Sequence, residues 1–329
     1  MSASTQLVIV AGQLGSGKTS LIEALLACGR IGESTAVIVN EVGAVNIDGA
    51  ILSQSARGAT LATLSNGCVC CSLVDDLATT IEDLVATREQ SSLPAFERIV
   101  LECSGLAKPG QVVLGLSQLA ALRLRVHVVA TYDCTRIRDE SDQSNDLMAQ
   151  IGAAHTVVLT KMDLVGPTLR TLALDSVRTL NPFARIVDEI SFSIRAREAF
   201  RELVEVQRIA APLLDEQALR PRALLHPRVQ VFRARFVSQL DWQDVLDWLE
   251  NVVGTLGDRL LRMKAIVADA TTAERVLLQS VGTTIAAPRR LGQGDVRERV
   301  AIFIVRDCSL AEIQSADSTL DMEWSALRG

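Results

Sequence analysis

The sequence has no excess of basic residues: 33 Lys and Arg stand against 39 Asp and Glu, giving a formal charge of −6 and a pI near 5.3. Nucleic-acid-binding surfaces usually carry the opposite balance, so no nucleic-acid partner is expected. No apolar run approaches the ~18 residues that a membrane span requires, and Met1 to Gln6 lacks the charged start of a signal peptide. These absences predict a cytoplasmic protein with no membrane partner. Internal repeats are missing, and so is a disulfide framework. The seven cysteines are an odd count, and Cys68, Cys70 and Cys71 fall within four residues. That clustering fits a metal or redox site in a reducing compartment.

What is present begins with Gly12-Gln13-Leu14-Gly15-Ser16-Gly17-Lys18-Thr19. It follows the apolar run Leu7 to Ala11 and leads into the helical pattern Leu21, Ile22, Leu25, Leu26, the strand-turn-helix context a phosphate-binding loop requires. Glycines at 12, 15 and 17 let the backbone curl and turn its N–H groups inward, where the helix dipole adds to their hold on di- or triphosphate oxygens. Lys18 reaches the β/γ-phosphates as a point charge, and the Thr19 hydroxyl ligates Mg²⁺. The nucleotide contacts expected here are Gly12, Leu14, Gly15, Ser16, Gly17, Lys18, Thr19 and Ser20.

Further along, Ala36 to Val39 reads as a second buried strand, followed by a loop holding Glu41, Gly43, Asp48 and Gly49. Acids and glycines just past a strand end suit a loop facing a metal or phosphate, and equally a plain solvated loop. Gly67-Cys68-Val69-Cys70-Cys71 comes next. Its thiolates are soft ligands for Zn²⁺, Co²⁺ or Cu⁺ and leave a tetrahedral site one ligand short. A transient site, a closed structural zinc with one remote ligand and redox chemistry are the three readings. A helical stretch from Leu73 to Thr87 precedes Ile99 to Leu101, which ends in Glu102, where nucleotide folds place the carboxylate that holds Mg²⁺ or its water. Leu124 to Tyr132, ending at Asp133, is another strand, with His127 a packed core histidine. His155 to Leu159 is a further strand and ends in Thr160-Lys161-Met162-Asp163. The Asp163 carboxylate can accept both N–H groups of guanine's Watson–Crick edge while the Lys161 stem lies along the ring.

A chain of 329 residues exceeds one ordinary core and predicts two domains. Strands alternate with helices as far as Ile190, which predicts an α/β domain: a P-loop, doubly wound, mostly parallel sheet with its ligand at the carboxyl edge. Glu198 to Ile209 reads as its closing helix, so residues 1–209 form the first domain, with a proline-bearing linker over 210–227. Residues 228–329 read as a second, smaller α+β domain with a half-covered sheet. Its strands are Arg228 to Val237, Leu260 to Val267, Glu274 to Val281 and Val300 to Val305. Its helix, Trp242 to Val253, turns Trp242, Val245, Leu246 and Leu249 to one face, and residues 315–329 read as a ragged tail.

Together these residues resemble the CobW-type GTPases, relatives of the urease and hydrogenase nickel-insertion GTPases. The resemblance covers nearly the whole chain. It rests on the loop Gly12 to Thr19, Asn40-Glu41 with Asp48-Gly49 as switch, Gly67 to Cys71 as the CxCC signature, Glu102 to Pro109 as the Walker B region, and Thr160 to Asp163 as base motif. Arg259 to Val267 is similar to the family's C-terminal hallmark. The resemblance implies GTP hydrolysis coupled to handing over a transition metal, with GTP, Mg²⁺ and Zn²⁺ or Co²⁺ as cofactors and a metal-requiring client protein as partner. It implies catalysis through Lys18, Thr19 and Glu102, with Thr19 and Glu102 on Mg²⁺, base contacts from Thr160, Lys161 and Asp163, and Glu41, Cys68, Cys70 and Cys71 on the transferred metal. A homodimer is left open. The chain departs from the pattern at Ala44, where a second acid is common, at Thr160, where Asn is more frequent, and in the linker, whose one histidine is His226.

Three functions compete at this point. One is a GTP-driven metallochaperone of Zn, Co or Fe. Another is a regulatory binding module or maturation factor, of the cobalamin-synthesis or nitrile-hydratase-activator type, whose hydrolysis is only a timer. The third is a small-molecule kinase, against which both the CxCC and Asp163 argue.

Overall fold

The computed structural model describes residues 5–27, 34–40, 59–64, 72–136, 145–201, 228–238, 240–268, 274–291, 299–316 and 320–327. The chain divides into two compact units, one of Met1–Ala173 and Ala184–Arg201, the other of Leu174–Phe183 and Glu202–Gly329. The expected linker 210–227 lies outside the described residues, as do Glu41, the switch loop and the CxCC cysteines.

The first unit is a parallel sheet. Its strands are β1 (Gln6–Gly12), β2 (Thr35–Asn40), β3 (Thr60–Leu64), β4 (Arg98–Glu102), β5 (Arg125–Asp133), β6 (Thr156–Thr160) and β7 (Arg185–Val187). They lie in the order β3-β2-β4-β1-β5-β6-β7 with every pairing parallel. β1 is buried along its whole length, as an apolar run such as Leu7 to Ala11 must be when both faces of the sheet are covered. The helices are α1 (Lys18–Ala27), α2 (Ser72–Gln90), α3 (Pro109–Gly115), α4 (Asn145–Ala153), α5 (Pro167–Leu180) and α6 (Phe192–Ala199). Leu21, Ile22 and Leu25 of α1 join Val8, Val10, Val100 and Phe200 in one core cluster.

Because the chain starts mid-sheet at β1 and adds strands to both sides, the crevice at the carboxyl ends of β4, β1 and β5 is the place where such sheets hold ligands. Register decides which residues meet there. Val10 lies beside Glu102, Gly12 beside Thr131, and Asp133 beside Thr160.

The second unit is antiparallel. β8 (Val229–Phe236), β9 (Leu260–Ala268), β10 (Arg275–Val281), β11 (Thr284–Ile285), β12 (Arg289–Arg290), β13 (Val300–Arg306) and β14 (Met322–Ala326) form a sheet in the order β11-β10-β9-β13-β8-β14, with β12 on β10. Among the described residues it is accompanied by α7 (Trp242–Leu256) and α8 (Leu310–Ser315). The period-2 alternation of β9 sends Met263, Ala265 and Val267 to the core that contains Trp248. The fully buried Trp248 meets Phe236 and Phe303 edge-on, at centroid distances of 5.1 and 6.0 Å.

Three expectations change here. The stretch read as a ragged tail contains β14, which pairs with β8, and Trp324 stacks on Phe303 at 5.5 Å. Its alternation of Met322, Trp324 and Ala326 with Glu323 and Ser325 is that of a half-buried edge strand, short enough to pass for a tail. On α7 the buried stripe is Val245, Trp248, Leu249, Val252 and Leu256, and Leu246 is exposed, because 100° per residue carries it off that stripe. A helix runs Phe192–Ala199, anchored by buried Ala196 and Ala199, while most of the closing helix expected over Glu198 to Ile209 falls on residues outside the described set. Finally, the sheet is not half-covered. Ile266, Leu277, Val300 and Ile302 on its other face form a second cluster with Phe183 packed against it.

Candidate functional site

The site is assembled from the loops that leave the carboxyl edge of the first sheet. Between β1 and α1 the chain turns through Gly12, Gly15 and Gly17, whose φ values of +146°, +73° and +91° disfavour any side chain. At Gly12 a Cβ would also lie 2.0 Å from Thr131 Oγ1, so β5 presses directly on the loop. Ser16 pins the turn from inside: its hydroxyl donates to the Gln13 carbonyl at 2.7 Å and lies 2.6 Å from the Thr131 hydroxyl. Lys18 is buried, and its ammonium donates to the carbonyls of Gly12 and Gln13 at 3.0 and 3.1 Å, which holds the charge in the concavity of the loop. Leu14 stands 80% exposed at the loop tip, and Ser20 is exposed on α1.

Across the crevice Glu102 ends β4, 4% exposed, and accepts a 2.7 Å hydrogen bond from Thr19 Oγ1. A hydroxyl and a carboxylate in contact beneath a phosphate loop are the protein donors a Mg²⁺ ion needs there; it takes its other oxygens from phosphate and water. The next residue, Cys103, is a core thiol. Burial pushes it up to about 12, against the pull of the Lys18 ammonium. The turn beyond it is packed hard on the phosphate loop, since a Cβ on Gly105 would fall 2.6 Å from the Leu14 nitrogen. Gln150 of α4, fully buried, holds that turn by donating to the Gly105 and Ala107 carbonyls at 3.0 and 3.1 Å.

The base motif leaves the neighbouring strand end. Thr160 is buried and its hydroxyl lies 2.9 Å from the Ser16 carbonyl and 3.2 Å from that of Tyr132, tying motif, phosphate loop and β5 together. Lys161 adopts a left-handed φ of 53° and sets its ammonium 2.6 Å from Asp133 Oδ2. Asp163 is exposed in the 3₁₀ turn Met162–Leu164. That turn is braced by Arg170, which donates to the Met162 carbonyl at 2.9 Å. Arg195 donates to the carbonyls of Glu189 and Ile190 at 2.7 and 2.9 Å. Burial lowers its affinity for a proton, and the nearby Asp163 carboxylate works in the opposite direction.

Gly12, Ser16, Gly17, Lys18, Thr19, Glu102 and Thr160 therefore converge on one crevice, with Asp163 at the tip of the adjoining turn. Glu41, Cys68, Cys70 and Cys71 lie outside the described residues. Among the described residues no group of three or more His, Cys, Asp and Glu is placed to hold a metal. His127, partly buried, stands 3.1 Å from the Thr156 hydroxyl and 5.0 Å from the His155 ring, inside the sheet rather than at its edge.

Sequence reasoning missed three participants. Thr131, hidden in an apolar strand, touches Ser16. Gln150 is one polar residue in an apolar helix face, and that isolation was its signal. Asp133 was visible as a strand-ending acid but not as the group that gathers Lys161 and Arg136, at 2.6 and 3.6 Å. Burial would raise its carboxyl; hydrogen bonds from Lys161, the Thr135 hydroxyl and the Thr135 backbone overcome this and hold it below the usual range.

Residues 6–188 match the CobW/HypB/UreG nucleotide-binding domain and residues 229–317 match the cobalamin synthesis protein cobW C-terminal domain. The chain belongs to this family. It is 32% identical over 318 residues to a protein of Escherichia coli (strain K12) named zinc chaperone YjiA, covering 94% of this chain and 96% of that one. Against the zinc chaperone CobW of Sinorhizobium sp the identity is 25%, with 95% and 96% covered. The solved structure of the Zn(II)-bound YjiA GTPase from E. coli superposes with a TM-score of 0.64 at 21% identity, over 95% of this chain and 98% of that chain, which establishes the shared fold.

Proposed function

We propose that this chain is a GTP-hydrolysing metallochaperone that takes zinc at its CxCC motif and passes it to a metal-requiring client protein in the cytoplasm. The observation that carries the reading is the Thr19–Glu102 contact of 2.7 Å beneath the loop that buries Lys18. GTP fits this crevice: the loop N–H groups and the Lys18 ammonium take the phosphates, and Asp163 takes the guanine edge. Thr19 and Glu102 would hold Mg²⁺, which would supply charge to neutralise the phosphates in the transition state. The rest of the chemistry falls to the chain itself, where Lys18 draws off charge developing on the transferred group and Gln150 keeps the turn after Glu102 against Leu14.

Coupling to the metal rests on strand order. β3, β2 and β4 are consecutive neighbours in the sheet, Glu41 follows β2 directly, Cys68 comes four residues after β3, and Glu102 ends β4. Three adjacent strands thus end at one edge: β4 with Glu102, and β2 and β3 where the sequence runs on to Glu41 and to the CxCC. Burial raises the Cys103 and Cys134 thiols to about 12 and about 11. The names of the relatives, zinc chaperone and zinc-regulated GTPase metalloprotein activator, favour zinc as cargo.

The test is a titration with Co²⁺, whose thiolate absorption reports sulfur ligation, run nucleotide-free, with GDP and with GTP plus Mg²⁺. GTP should tighten metal binding about 5–150-fold, and the metal should tighten GTP by the same factor. Identical affinities in all three states would overturn the chaperone reading and leave a structural zinc. Serine substitutions at Cys68, Cys70 and Cys71 should then show Cys70 and Cys71 carrying most of the ligation.

A further inference from the structure

A cation that the nucleotide reading does not use lies against the phosphate loop. Arg136 closes the short turn Cys134–Arg136 after β5, and one of its terminal nitrogens sits 3.7 Å from where a Cβ on Gly15 would be. Asp133 holds it there. One oxygen of that buried carboxylate lies 3.6 Å from Arg136 Nε and 2.6 Å from Lys161 Nζ; the other accepts from the Thr135 backbone at 2.9 Å and the Thr135 hydroxyl at 2.6 Å. A single carboxylate thus serves two cations, one on the base motif and one on the phosphate loop. Two positive groups therefore face one negative one. An anion is the natural complement.

We propose that Arg136 is a binding residue for the α/β-diphosphate of the nucleotide, with Asp133 as the positioning residue that aims it. The assignment rests on the nucleotide reading above. Backbone N–H groups of a phosphate loop cradle the α- and β-phosphates, while the γ-phosphate lies towards the loop lysine. A guanidinium beside Gly15 therefore reaches the part of the ligand that GTP and GDP share. Its side chain is 38% exposed, so part of its donor fork is open to solvent, and a planar fork matches two phosphate oxygens. The consequence is functional. Arg136 would add equally to the binding of substrate and product, and so would slow the release of GDP.

The experiment compares wild type, Arg136→Gln and Arg136→Lys for binding of guanosine, GMP, GDP and GTP with Mg²⁺, and for the off-rate of a fluorescent GDP. Arg136→Gln should weaken GDP and GTP alike by about ten- to a hundredfold, raise the GDP off-rate, and leave guanosine within twofold. Steady-state turnover should show most of its loss in KM, and Arg136→Lys should recover most of the affinity. Wild-type GDP affinity in Arg136→Gln would overturn the assignment. So would an equal loss for guanosine, which would mean that the Asp133 pair only supports the fold, or a loss confined to kcat, which would place the guanidinium on the γ-phosphate. Wild-type protein that binds neither GDP nor GTP would overturn the proposed function as well; wild-type binding with an unaffected variant overturns this inference alone.

Discussion

The two sheets of this chain use their polar residues in opposite ways. In the parallel sheet every strand ends at the same edge, so the ends of β1, β4, β5 and β6 deliver Gly12, Glu102, Asp133 and Thr160 to one crevice. In the antiparallel sheet neighbouring strands end at opposite edges, and the charges gathered at one of them, Arg228 with Asp307 and Arg259 with Glu312, pair with each other at the surface. Among the described residues its buried charges lie within a strand: Arg262 and Lys264 are buried in β9 on the face opposite Met263 and Ala265, with the Lys264 ammonium 5.8 Å from the centre of the Phe183 ring. Parallel topology concentrates chemistry, whereas the antiparallel unit concentrates packing around Trp248.

Substitutions can break that division of labour. The largest effect is expected at Trp248→Ala, which should cost about 3–5 kcal/mol in denaturant unfolding of the second unit, because the ring is fully buried between Phe236 and Phe303. GDP affinity should hardly change; a parallel collapse of GDP binding would show that the two units act as one. Lys18→Ala is the reverse case. Turnover should fall about 10²–10³-fold while the unfolding midpoint stays put, since the ammonium serves phosphates rather than packing. Unchanged GTPase activity in that variant would dispose of the site.

Asp163→Asn should reduce the preference for GTP over ATP by roughly ten- to a hundredfold through one charge-assisted contact, with ATP affinity nearly constant. Competition titrations check it, and wild-type protein that binds both nucleotides equally would sink the base assignment. The smallest effect concerns acid. Glu312 in the second unit accepts hydrogen bonds from the Ser309 backbone and hydroxyl and from Arg259, and these hold its carboxyl at about 2 instead of 4.5. A depressed carboxyl contributes stability above its unfolded value and loses that contribution as pH falls towards the folded one. The second unit should therefore weaken slightly between pH 4.5 and about 2, and Glu312→Gln should flatten that slope in pH-dependent unfolding.

Much of the first unit was legible because its signals are contiguous. The run Leu7 to Ala11 can only be a strand covered on both faces, and the glycines that follow are needed by their own φ values. The second unit was harder to read. β14 is five residues long and buries one face only, and Trp248 replaced Leu246 in the core because a helical stripe drifts by more than a short window reveals.

The sequence by itself determined the phosphate loop, the strand-ending Glu102, the base motif and the thiolate cluster, since each is a local pattern whose chemistry depends on residues a few positions apart. The tertiary structure alone decided how the first three are bound into one site. Ser16 meets Thr131 across 115 residues, Thr160 meets Ser16 across 144, Gln150 holds Gly105, and Arg136 lies against Gly15. Those pairings follow from strand order and register, which the packing of whole faces selects, so no window of sequence contains them.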